Sequence, residues 1–197
     1  MKRLLKNSAF AATNVKQDPN TDTGEKRILL KVSTEPFYTP KNADDYTIIF
    51  ESRFESGNLA AALKVNLNDY LLLLQNDVNT SGHTQWFFFR TSNVAAGQVR
   101  FNMLNLCKPD SLYNEGMKIL VYSERMASHK DVGWHRAGTK IGYYNNGLRR
   151  TDKSQKSYYT HTFTYNYEYT NDTVYFAYSY PYTYTDMVED LNKITND

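Results

Sequence analysis

Histidine, cysteine and paired carboxylates are the side chains best suited to bond-making chemistry, and this 197-residue sequence uses them sparingly. Its histidines are His83, His129, His135 and His161. None opens an H-E-x-x-H motif, and the third residues after them are Trp86, Val132, Gly138 and Thr164, so the H-x-x-E pair of a zinc peptidase is absent. His129 and His135 with a distant carboxylate are one zinc arrangement the spacing leaves open; polar side chains on a β surface are the ordinary alternative. The single cysteine, Cys107, excludes a disulfide scaffold or a multi-cysteine metal cluster, and it follows an apolar run, as a buried inert thiol does. There is no G-x-S-x-G elbow, and Gly138, Gly142 and Gly147 are spaced like hairpin turns rather than a phosphate loop. The pairs Asp44-Asp45 and Glu189-Asp190 fall at a strand entry and a helix start, where solvation or capping explains them. The sequence therefore predicts no catalytic site, no cofactor and no metal in this chain.

Charge offers more than reactivity. The net charge is only +2, too small to imply nucleic acid, yet residues 125–156 carry eight basic and two acidic side chains. Arg125, Lys130, Arg136, Lys140, Arg149, Arg150 and Lys153 are the candidates for a patch that docks an acidic polypeptide with electrostatic steering; the plainer alternative is a set of solvated loop charges. Tyrosine is abundant, with 17 residues, 10 of them between Tyr158 and Tyr184. A stacking platform for single-stranded nucleic acid would interleave Arg and Lys, and residues 157–180 contain neither. The tyrosines therefore read as sheet packing. No apolar stretch approaches a membrane span, and the basic head, Met1-Lys-Arg-Leu-Leu-Lys6, lacks the apolar run of a secretory signal. A cytoplasmic location is expected, with a mitochondrial presequence as the competing account of that head.

The elements that must position these residues are short strands. Residues 1–44 form a polar arm rich in Asn, Asp, Thr and Lys. From Tyr46 onward β-branched and aromatic runs alternate with turn signals: Tyr46–Glu51, Ala61–Asn66, Tyr70–Gln75, Thr84–Thr91, Gln98–Asn105, Lys118–Ser123, Gly133–Arg136, Ile141–Asn145, Ser157–Tyr167 and Thr173–Tyr180. This punctuation predicts an all-β, antiparallel sandwich of about nine strands over residues 45–182. Along Tyr158–Tyr169 the aromatics Tyr159, Phe163, Tyr165, Tyr167 and Tyr169 share one face with His161, and Thr160, Thr162, Thr164, Asn166 and Glu168 line the other. Trp86-Phe87-Phe88-Phe89 is apolar on both faces, as in a strand covered twice. Residues 183–197 supply a short helix, with Met187, Leu191 and Ile194 at i, i+4, i+7 and Thr185 as a candidate N-cap. Three turns are marginal alone, so this helix is expected to dock on something.

Several motifs resemble the amino-terminal domain of the cytosolic carboxypeptidases. They are Phe50-Glu-Ser-Arg-Phe-Glu-Ser-Gly-Asn-Leu59, His83-Thr-Gln-Trp-Phe-Phe-Phe-Arg90, Asn105, Ser111-Leu-Tyr-Asn-Glu-Gly-Met117, Gly133-Trp-His-Arg136 and Tyr180-Pro-Tyr-Thr-Tyr184, in family order over roughly residues 45–194. The resemblance implies a β-sandwich set before an α/β zinc carboxypeptidase domain that trims glutamates from tubulin and other acidic tails. Zinc is expected only in that following domain, whose H-P-G-E-type motif this chain does not contain. The implied partners are a peptidase domain in cis or trans and acidic tubulin-like tails, with neither nucleic acid nor membrane; a place on microtubules or cilia follows from the same resemblance. Of the motif residues, Arg53, Glu55, Gly57 and Asn58 look like a polar turn that locks nearby backbone, with His83, Gln85 and Trp86 in the same network. Trp134, Pro181 and Tyr182 complete the set expected at an interface.

Overall fold

A computed structural model describes residues 40–80, 82–150 and 156–196. The arm of residues 1–39 and Lys153 lie outside the described residues. Ten strands build two five-stranded sheets. The first, in spatial order, holds β1 (Ile49–Glu51), β4 (Phe88–Ser92), β10 (Val174–Ala177), β6 (Ile119–Ser123) and β7 (His135–Ala137). The second holds β2 (Leu59–Asn66), β3 (Asp69–Leu74), β5 (Gly97–Leu106), β9 (Ser157–Tyr167) and β8 (Thr139–Arg149). Each expected run therefore falls on a strand. One pairing departs from the antiparallel expectation: β3 and β5 run parallel, with Asp69 opposite Arg100 and Leu72 opposite Met103. The chain leaves the second sheet after β3, contributes β4 to the first, and returns in the same direction.

The core sits between the sheets and is aromatic because pleated strands present alternate residues to it. From β9 come His161, Phe163, Tyr165 and Tyr167; from β5, Val99, Phe101 and Met103; from β4, Phe89; from β10, Phe176. Phe101 lies 5.3 Å from Phe163 and 5.4 Å from Phe176 between ring centroids, the spacing of tilted aromatic pairs. Most of the tyrosine excess of β9 is thus packing.

Two helices complete the fold. The strand pattern does not predict the seven-residue α1 (Glu124–Lys130), whose adjacent N-cap Ser123 is joined by a carboxylate from far along the chain. Ser123 accepts from the Met126 amide at 2.9 Å, and the buried Asp172 carboxylate accepts from the Arg125 amide at 3.1 Å. The second helix, α2 (Tyr184–Asn196), is where periodicity put it, but its cap is Thr183 rather than Thr185. The Thr183 hydroxyl oxygen accepts from the Asp186 amide at 3.2 Å while Asp186 accepts from the Thr183 amide at 2.7 Å, a reciprocal capping box. The apolar stripe of α2 is left uncovered among the described residues: Leu191 is 52% and Ile194 72% exposed.

Candidate interaction face

The motif turn is built around Gly57. A Cβ there would sit 2.1 Å from the Ser52 carbonyl oxygen, so the chain turns tightly only with glycine. The Glu51 carboxylate, with Oε1 accepting from the Ser52 amide at 2.9 Å and the Arg53 amide at 2.8 Å, also pairs with the Arg53 guanidinium. That pairing holds the Glu51 carboxyl down to about 2. Asn58 behaves as a piece of strand: its amide nitrogen donates to the Trp86 carbonyl, and its amide oxygen accepts from the Phe88 amide at 3.1 Å. The Trp86 indole N–H donates to the Ser56 carbonyl at 2.7 Å. Arg53, Gly57, Asn58 and Trp86 thus lie in one hydrogen-bonded turn.

Glu55 does something else. Its carboxylate accepts from the Thr185 amide at 3.0 Å, tying the first turn of α2 to this turn. Gln85 and His83 leave the network: the Gln85 amide donates to the Tyr178 hydroxyl at 3.0 Å, and His83 is an exposed loop residue. Asn105 and Asn114 repeat the device of Asn58. The Asn105 amide accepts from the Leu74 N–H and donates to its carbonyl, and Asn114 does the same to Tyr143 at the free edge of β8. The motifs include Asn58, Asn105 and Asn114, but only Asn58 was expected to lock backbone; no pattern in one sequence marks an amide as a stand-in for a strand.

The turn supports an aromatic layer on the outward face of the first sheet. Phe88 is 8% exposed although it points away from the core, because Phe54 (4.9 Å), Trp86 (6.3 Å), Trp134 (6.0 Å) and Tyr175 (6.3 Å) surround its ring. Tyr122 extends the layer, 5.6 Å from Trp134. A groove of about 620 Å³ opens beside it, lined by Glu51, Arg53, Phe54, Glu55, Arg90 and Tyr175. Pro181 is half-buried, and Tyr182 is exposed with its hydroxyl on Asp190. Both lie in the segment that leads to α2.

The basic residues do not converge. Arg125 and Lys130 lie on α1, and Lys130 pairs with Glu168 just past the end of β9. Arg149 ends β8 opposite Ser157 at the start of β9, and Arg150 follows it. The eleven residues of β9 separate these groups by about 35 Å. Arg136 spends its guanidinium on the Lys118 and Tyr178 carbonyls, and Lys140 stands exposed at the start of β8. A single continuous patch is therefore not what the described members form.

The histidines also lie apart. His161 is fully buried and stacked on Tyr113 at 3.7 Å, His129 meets Tyr169, and His135 contacts the Gly133 carbonyl. Among the described residues no three His, Cys, Asp or Glu side chains converge, so these residues do not fit a zinc centre. Cys107 is half-buried, its thiol donating to the Gly82 carbonyl at 2.8 Å. No helix among the described residues is long and apolar enough to cross a membrane.

This sandwich is an architecture found in carboxypeptidases. A crystal structure described as a carboxypeptidase A from Shewanella denitrificans superposes with a TM-score of 0.50 at 17% identity, over 74% of this chain and 32% of that one, a likeness of fold alone. Sequence carries the assignment further. Residues 50–179 match the family model described as the cytosolic carboxypeptidase N-terminal domain, and the chain belongs to that family. Cytosolic carboxypeptidase 2 of Homo sapiens is 44% identical over 141 residues, covering 71% of this chain and 15% of the relative. Cytosolic carboxypeptidase 3 of Bos taurus is 44% identical over 129 residues, covering 65% of this chain and 13% of its own length. The chain thus spans about 15% of the length of the curated relatives it matches.

Proposed function

We propose that this chain is a non-catalytic interaction module that seats a zinc carboxypeptidase domain, in cis or in trans, against the aromatic face of its first sheet and the apolar stripe of α2. The observation that carries this is the pairing of the two features. An outward sheet face bears six aromatic side chains (Phe54, Trp86, Phe88, Tyr122, Trp134 and Tyr175), and a helix tied beside it through Glu55 leaves Leu191 and Ile194 in solvent. Rigid aromatic rings on a sheet give large contact area at small entropic cost, which suits an interface. Membership of a family whose named relatives are far longer carboxypeptidases supports the choice of partner. In the cis form the chain is the regulatory or folding front of a complete metallocarboxypeptidase that removes glutamates from tubulin. In the trans form it is a scaffold in the cytoplasm. Photo-cross-linkers placed at Tyr122 and at Leu191 test the reading. Capture of a metallocarboxypeptidase domain, identified by mass spectrometry, is expected from both positions and not from Thr162 on the opposite sheet. Equal capture from Thr162, or none from Tyr122 and Leu191, rejects it.

A second reading is favoured by one observation, the clustering of Arg149 and Arg150 at the end of β8, where the Arg150 amide donates to the Lys156 carbonyl at 2.8 Å. That end docks a glutamate-rich tail of the tubulin kind, and with it a microtubule or ciliary assembly. Charge reversal at both arginines is expected to weaken binding of a glutamate-rich peptide in a salt-dependent way. Unchanged affinity removes this role.

A further inference from the structure

At one end of the sandwich a cleft of about 410 Å³ opens between Thr84, Gln85 and Phe87 just before β4, the end of β5 and the 3-10 turn Leu112–Glu115. The turn drives Tyr113 between the sheets, where its ring stacks on His161 and only 4% of it stays exposed. Its hydroxyl is buried with no hydrogen-bond partner, an arrangement that costs about 1–3 kcal/mol unless something else satisfies it. We propose that this cleft receives an arginine side chain of a partner polypeptide.

The inventory of polar atoms carries the choice of ligand. Several donors around the cleft are already engaged, although the Tyr178 and Ser111 hydroxyls, which accept from Gln85 and from the Tyr113 amide, keep a hydrogen to donate. The Gln85 amide donates to Tyr178, the Asn114 amide to the Tyr143 carbonyl, and the Tyr143 hydroxyl to the Lys108 carbonyl at 2.6 Å. Acceptors are left over: the Gln85 amide oxygen, the Tyr113 hydroxyl oxygen and the exposed carboxylates of Asp110 and Glu115, none of which has a partner among the described residues. A guanidinium brings five donors in one plane and stacks on aromatic rings, and Tyr143 and Tyr178 line the cleft. Burial pushes the Tyr113 and Tyr143 phenols up. Lys108, also at the rim, opposes the ligand. The site lies between the sheets rather than on the aromatic outer face, and it does not rest on the peptidase-docking proposal.

The test is a titration of the isotope-labelled chain, followed by nuclear magnetic resonance, with N-acetylarginine amide and its neutral isostere N-acetylcitrulline amide. The arginine probe is expected to shift the backbone amides of Gln85, Ser111, Asn114 and Tyr178 saturably, with the citrulline probe at least about tenfold weaker. Asp110→Asn with Glu115→Gln, both at exposed positions, is expected to weaken the arginine probe about tenfold, and Lys108→Gln to strengthen it severalfold. Equal responses to the two probes, shifts confined to another surface, or no saturable shift overturn the proposal. So does an affinity indifferent to the two carboxylates in a double variant whose spectrum shows it folded.

Discussion

The two sheets share one core and differ on their outward faces. Outside the second sheet a polar ladder of side chains runs beside Leu71 and the exposed Tyr144. The Asp69 carboxylate accepts from Arg100 and, at 2.8 Å, from the Asn102 amide, and the Asn102 amide oxygen accepts from the Thr162 hydroxyl at 2.8 Å. Outside the first sheet the same register positions hold Phe88, Tyr175, Tyr122 and Leu120, roofed by Phe54, Trp86 and Trp134. A polar ladder satisfies itself and water equally well. An aromatic layer keeps exposed edges, and the proposed docking rests on that asymmetry.

The largest expected effect separates the faces directly. Phe88→Ala empties the centre of the aromatic layer and is expected to destabilise the fold by about 3–5 kcal/mol, whereas Thr162→Ala on the ladder costs about 1 kcal/mol. Urea unfolding of both variants measures this, and equal losses would break the contrast.

Acid probes the inner side of the polar-faced sheet. Burial lowers the His161 imidazole to about 3 from its usual 6.5, and neither ring nitrogen has a hydrogen-bond partner. The folded state therefore resists a proton that the unfolded chain accepts. This stability is fully present above pH 6.5 and is lost as the pH falls from 6.5 towards 3, by at most about 1.4 kcal/mol per pH unit. His161→Phe is expected to flatten that slope; an unchanged stability–pH curve would show that the imidazole is not buried neutral.

Gly57→Ala ranks next. Forcing a Cβ onto the Ser52 carbonyl should cost about 1–3 kcal/mol and move the indole fluorescence of Trp86, while Trp134 on the far side of the layer reports little. Single-tryptophan variants resolve the two signals. The smallest effect belongs to α2: Leu191→Ser, at an exposed position, should change stability by less than about 0.5 kcal/mol while removing cross-linking to a peptidase domain. A larger loss would mean that the stripe already packs on its own sandwich.

Much of this was legible beforehand. Strand runs, the inward set His161, Phe163, Tyr165 and Tyr167, and the helix beyond Pro181 follow from periods of two and 3.6 residues, which each segment carries by itself. The family motifs were legible too, and residues 50–179 bear them out. Other features depended on residues far apart in the chain. Asp172 caps α1 across 47 residues, and Asn105 pairs with Leu74 across 31. The basic run looked continuous because its members are close in sequence, yet β8 and β9 carry Arg149 about 35 Å from Lys130.

The sequence alone determined an aromatic β-sandwich, because composition and periodicity are local properties, and its ordered motifs, not its composition, carried the family resemblance. Only the tertiary structure decided which outward face is aromatic, that Asn58, Asn105 and Asn114 act as backbone, and that a cleft with surplus acceptors opens beside Tyr113. Those depend on register and on which sheet each strand joins, and register is settled only when the faces pack together.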